Sequence, residues 1–296
     1  MARIRRRRAP ALAFDAIIIE GALIAPAMMA RVAAHQAGGQ AEADYGVPKG
    51  LTLRDEIARY FRIGQAMFAG LTASESPSAA ATVSFVEKLL GEVFGFTDVR
   101  RVGIRTLNDR QFPVTLEGIG GRVPVMVVPP ADDLDRPSDH IPGDGHRRSA
   151  ASAIQDWLNA GSDVLWGLCS NGLHLRLVRD NASLTRPAYI EADLRQIFEA
   201  EDFADFAALW LLIHATRFGS GGTAPSDCAL ERWRAAGQKE GITARDRLRD
   251  GVEAALKSLG GGFLDHPDNG ALRERLRAGE LTLEDFFTQL LRLVYR

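Results

Sequence analysis

A mixed α/β fold is what this 296-residue sequence predicts, and three observations carry the prediction. SFVEKLLGEVFGF sets Val83, Val86, Leu90, Val93 and Phe94 on one helical stripe, and three β-like runs follow it: VRRVGIRTL, FPVTLEG and RVPVMVVPP. A Pro-, Asp- and Gly-rich loop then leads into a helix, HRRSAASAIQDWLNA. Finally, LWGLCSNGLHLRLVRD reads as a hairpin about Asn171-Gly172, because both residues accept the positive φ of a type I′ turn. Helix, three strands, helix and hairpin in that order predict an α/β sandwich around a mixed sheet.

The remaining elements follow in chain order. Residues 1–13 form a basic arm expected to be disordered, with Arg3 and Arg5 to Arg8 within six positions. Residues 14–78 are expected to be mostly helical with one short strand, ending in a linker of small polar residues at Ser74–Ser78. The α/β core is assigned to 79–190, and 191–296 to a helical connector bundle. Within the bundle, Leu194, Ile197, Phe206, Leu209, Trp210, Ile213 and Arg217 trace one long amphipathic helix. The closing helix has an N-cap at Thr282, with Glu284 and Asp285 near its start. Its end is crowded with Leu290, Leu291, Leu293, Val294 and Tyr295, more than one face buries, so the helix is expected to be cut short where a larger protein continues, with docking on its own bundle or on a partner as alternatives.

Composition excludes several classes. A net charge of −2 leaves no global field drawing the chain to polyanions. Thirty-two of the 36 basic residues are arginines, a bias that suits phosphate and equally follows from a GC-rich coding sequence. Cys169 and Cys228 lack metal spacing, which argues against a zinc module and fits a reducing, cytoplasmic setting. Asp15 and Glu20 interrupt the first apolar run, so neither a signal peptide nor a membrane span is expected. The phosphate-loop, nucleophile-elbow, HExxH and strand-linked GxGxxG motifs are missing. So is an Asn/Asp/Ser-Pro-Pro-aromatic loop, since VVPPAD has neither flank.

The order of elements resembles the PD-(D/E)XK nuclease core, in which a helix Glu, a strand Asp and a Glu-x-Lys strand assemble a Mg²⁺ site. Gln155, then Ser170-Asn171-Gly172, then LHLRLVRD are similar to the Gln helix and hairpin of such domains in large restriction enzymes. FDAIIIEGALIAP, DYGVPKGLTLRDEIARYFRIG, RPAYIEADLRQIFE, DFADFAALWLLIHATRF and LLRLVYR extend the resemblance. It is to the N-terminal region of restriction–modification and DISARM-type (type IIG/IIL-like) adenine-specific DNA methyltransferases of phage defence. The resemblance implies S-adenosylmethionine and Mg²⁺ for the full-length family and neither for this chain. It implies weak binding to double-stranded DNA, and a methyltransferase domain or subunit met through the C-terminal helix.

Glu87, Asp109, Glu117 and Gln155 are the vestigial nuclease candidates. Glu87 and Gln155 each have a plain structural alternative, as a solvated helix carboxylate and a backbone-bonding amide. The strand due to carry Glu-x-Lys reads VPVMVV, which offers a hard cation nothing. An inactive scaffold is therefore expected, with a divergent Mg²⁺ endonuclease and a partner-binding subunit as rivals. The nucleic-acid candidates are Arg5, Arg6, Arg7, Arg8, Arg147 and Arg148, the last two in competition with pairing to Asp132, Asp133 or Asp135. His214 and the tryptophans Trp157, Trp166, Trp210 and Trp233 are expected in the core.

Overall fold

A computed structural model describes residues 14–21, 23–142, 147–161, 164–180 and 188–294. Its sheet has seven strands: β1 (Ile17–Glu20), β2 (Arg100–Leu107), β3 (Arg110–Gly118), β4 (Val123–Val127), β5 (Trp166–Ser170), β6 (His174–Arg179) and β7 (Tyr189–Asp193). They lie in the order β1-β7-β6-β5-β4-β3-β2, so the mixed α/β class stands. Only β4 and β5 run parallel among the described strands. Their connection must cross the sheet, and it does so through helix.

Helices cover both faces: α1 (Pro26–Ala33), α2 (Leu53–Thr72), α3 (Ala79–Lys88), α4 (Ala150–Ala160), α5 (Leu194–Glu199) and α6 (Phe203–Ile213). One face packs Leu116, Val125, Leu168, Leu177 and Ile190 against α1, α2, α3, α5 and α6. The other packs Met126, Cys169 and Val178 against Ile154 and Leu158 of α4. The period-2 alternation of the strands sorts the residues between these cores. Side-chain caps start α2, α3 and α4, with Thr52, Ser78 and Ser149 each accepting from the backbone N–H three residues on. α3 runs on through a wider π-type turn at Leu89–Val93 that keeps Leu89, Leu90 and Val93 buried.

Two compact units emerge, residues 1–237 and 238–296. The boundaries expected at 78 and 190 fall inside the first, because β1 and β7 complete one sheet by pairing Ile17 with Ala192 and Ile19 with Ile190. Residues 191–193 are strand, not helix. The single helix expected over 194–217 is broken, since Glu201 takes φ 58 and Asp202 caps a new helix at Asp205. The 37-residue α7 (Ala229–Asp265) runs into the second unit, which also holds α8 (Gly270–Arg277) and α9 (Leu283–Val294). Thr282 caps α9 at the N–H of Asp285, as its sequence predicts. Among the described residues no helix is long and apolar enough to cross a membrane.

The type I′ turn lies elsewhere than expected. Asn108 and Asp109, at φ 50 and 59, form it between β2 and β3, where Leu107 pairs with Arg110. At the other hairpin only Gly172 is left-handed, at φ 82. Asn171 turns the chain with its side chain instead. Its Oδ1 accepts from the N–H groups of Leu173 (3.1 Å) and His174 (2.8 Å), and its Nδ2 donates to the Asp132 carbonyl (3.0 Å).

Candidate functional site

The three acidic candidates are not brought together. Glu87, near the end of α3, accepts from Nε of Arg101 at 2.9 Å. Glu117 on β3 is 3% exposed and is held by Arg100 (Nε to Oε1, 2.6 Å) and Arg105 (Nε to Oε2, 3.0 Å). Arg100 is its cross-strand partner, but Arg105 differs from Arg100 in strand parity. Gly103, at φ 100 between them, breaks the alternation of β2 and lets both guanidiniums reach one carboxylate. Burial pushes the Glu117 carboxyl up, and the hydrogen bonds from Arg105 and Arg100 outweigh it, leaving the pKa below its ordinary value.

Arg100 and Arg101 are neighbours on one strand, so Glu117 and Glu87 lie on opposite faces of the sheet. Asp109 sits exposed in the β2–β3 turn. Beside β3, on the side away from β2, runs β4, whose five residues are all buried. Among the described residues no three His, Cys, Asp or Glu side chains group to hold a metal ion, so the residues present do not fit the Mg²⁺ of a nuclease core. Gln155 donates to the Arg179 carbonyl (3.2 Å) and to Asn159 Oδ1 (2.8 Å), which ties α4 to β6.

Of the basic candidates, Arg5, Arg6, Arg7 and Arg8 lie outside the described residues. Arg147 pairs with Asp139 at 2.7 Å and its charge also acts on Asp132, while Arg148 reaches Asp156 at 3.5 Å. The loop folds back through a bond from the Ser138 N–H to the Arg148 carbonyl, which leaves Asp132 to bind Ser138 and His140. His214 is buried as expected, but it caps α6 instead of lying within it. Trp166, Trp210 and Trp233 are buried, and Trp157 packs edge-on against Phe112.

A polar cleft of about 360 Å³ opens beyond the carboxyl ends of β4 and β5, between Asp132, Asp135, Asn171, His174 and Glu191. The ends of parallel strands are where open α/β sheets form crevices. Arg176, 4% exposed, makes its wall. It donates to both oxygens of Asp135 (2.7 and 2.8 Å) and through Nε to Glu191 (2.6 Å), and its guanidinium lies 3.9 Å over the Tyr189 ring. Burial opposes the charge on Arg176, but the bonds to its two carboxylates raise its pKa and keep it protonated. Asp135 is held below the ordinary carboxylate range by the bond from Arg176. Beneath them Cys169 is buried and its thiol is pushed up to about 12, too high for a nucleophile.

This arrangement locks the loop after β4 onto the β5–β6 hairpin and pairs one guanidinium with two of the acids that line the cleft, Asp135 and Glu191. The sequence carried a partial signal for it. Arg176 in HLRLVR and Glu191 in YIEAD each stand at a polar position of an alternating strand. No family model, no curated protein and no solved structure matches the chain.

Proposed function

We propose that this chain is a non-catalytic scaffold with a nuclease-like core, the N-terminal portion of a phage-defence restriction–modification DNA methyltransferase. One observation carries the proposal: β4, which holds the metal ligands in an active core, is here VPVMV and buried throughout. The order α3, β2–β4, α4, β5–β6 on a single sheet, with α3 and α4 on opposite faces, supports the likeness of the core. Methyl transfer and its S-adenosylmethionine belong to another domain or subunit. Double-stranded DNA is held weakly, by arginine and phosphate, with no element reading base edges.

The test is incubation of the full chain with supercoiled plasmid and either Mg²⁺ or Mn²⁺. The expected result is no nicking, with DNA retention that falls steeply as salt rises. Cleavage that disappears in Glu87→Ala or Glu117→Ala would replace the scaffold by a nuclease.

A further inference from the structure

Beyond Gln238, α7 carries an apolar stripe that its own unit leaves open. Leu248, Val252, Ala255, Leu259 and Gly262 recur at spacings of four, three, four and three, the seam along which two helices pack. Leu248 is 69% exposed, Leu259 40% and the adjoining Phe263 41%. A different side of the helix is already occupied, since a Cβ at Gly260 would lie 3.2 Å from both Leu290 and Phe287 of α9.

The seam contains a ready-made hole. Ala255, Ser258, Leu259 and Gly262 line a groove of about 790 Å³. Their spacing, i, i+3, i+4 and i+7, is the four-residue diamond that receives one side chain of a facing helix. Nothing lies within 4 Å of a Cβ placed at Gly261 or Gly262, so the approach is open. The same helix also supplies a matching knob, the exposed Leu248.

We propose that this groove is an interface between two copies of the chain, with the α7 helices antiparallel and each Leu248 seated in the other copy's Ala255–Ser258–Leu259–Gly262 hole. The register then fixes the remaining contacts. Val252 lies over Gly251, Ala254, Ala255 and Ser258 of the second copy, all small enough for close approach. Arg245 lies over Ser258, Gly261, Gly262 and Asp265, where the glycines admit its stem and Asp265 meets its charge. Neither Arg245 nor Asp265 forms an ion pair with another described residue within one chain. An antiparallel pair is its own two-fold image, so each of these contacts occurs twice. A parallel pair sets Leu248 on Leu248 and Arg245 on Arg245, with like charges opposed. The second copy is the fitting occupant because knob, hole and both charges lie on this one helix.

Sedimentation velocity of the full chain reads the dimer, and Leu248→Glu or Leu259→Glu should weaken it at least about a hundredfold, two leucines being lost per dimer. Position 248 is open enough to change without unfolding the chain, which circular dichroism verifies. Leu293→Glu, on α9, should leave the dimer intact. For the register, Leu248→Cys and Leu259→Cys chains are mixed and oxidised, the native cysteines being buried. The expected bridge joins 248 to 259. A monomer at every concentration up to high micromolar, a dimer indifferent to both glutamates, one dissolved by Leu293→Glu, or a 248–248 bridge overturns the proposal.

Discussion

At the scale of single residues, buried polar groups govern how this protein responds to acid. His214 is 7% exposed, tilted against Trp210 with ring centroids 4.6 Å apart, and bonded through Nδ1 to Thr216 at 2.9 Å. Burial, and then the nearby Arg217 charge, hold its pKa at about 4 against an ordinary 6.5. Above pH 6.5 the ring is neutral in the folded and the unfolded chain, and it has no effect on their balance. Below that, the unfolded chain takes up a proton that the folded chain refuses. Stability therefore falls between pH 6.5 and 4, by about 3 kcal/mol at the lower end. Urea unfolding across that range should show a shallower decline in His214→Phe than in the parent. Equal slopes would remove His214 as the cause. Glu117 acts in the same direction, since its lowered pKa stabilises the fold above the carboxylate range and that contribution is lost in acid. Its being a functional-looking carboxylate was legible in the sequence. Its two arginine partners were not, because they depend on the break in strand parity at Gly103.

At the scale of elements, the two hairpins invert what their sequences suggest. Asn108-Asp109 uses backbone geometry and stands in solvent, whereas Asn171-Gly172 is packed under α2 and α3. A Cβ at Gly172 would come within 2.9 Å of Thr82 and 3.0 Å of Leu71, and φ 82 disfavours a side chain there in any case. Gly172→Ala should therefore cost about 2 kcal/mol or more. Asn171→Ala, which strips two turn bonds and the tie to Asp132, should cost about 2 kcal/mol. Asn108→Gly should be nearly neutral. Thermal melts of the three variants compare them directly, and an Asn171→Ala no worse than Asn108→Gly would contradict this account. Strands β2 to β6 were readable from their apolar runs and flanking turn residues. β7 was not, because YIEAD is short and its last residue, Asp193, already caps α5. The Arg176–Asp135–Glu191 lock was legible only as polar positions within strands, at Arg176 and Glu191, not as a cluster. Its members stand 41 and 15 residues from Arg176 along the chain, and only the completed sheet and its loop bring them together.

At the scale of the whole molecule, the two units differ sharply in how much they bury. The first holds both cores. The described side chains of the second include only Phe286 and Leu290 as buried hydrophobics, and residues 238–251 are exposed at every position. All four tryptophans lie in the first unit, so their fluorescence reports on it alone, while helical dichroism reports on both. Urea should remove part of the dichroism at 222 nm before any change in tryptophan emission, giving two transitions that do not coincide. Superimposable curves would mean that the units unfold as one. The early, partial loss is expected because the α7 segment beyond Gln238 buries little of its surface within its own unit.

The pairing of β1 with β7 has a further bearing on how the protein is made. The strand IIIE leaves the ribosome well ahead of its partner, which follows only after most of the first unit has been synthesised. At ~5–20 residues per second the wait lasts roughly tens of seconds. Throughout that interval three β-prone isoleucines have no partner strand. The sheet edge that looks most ordinary in the finished fold is therefore the segment of the nascent chain most in need of shelter.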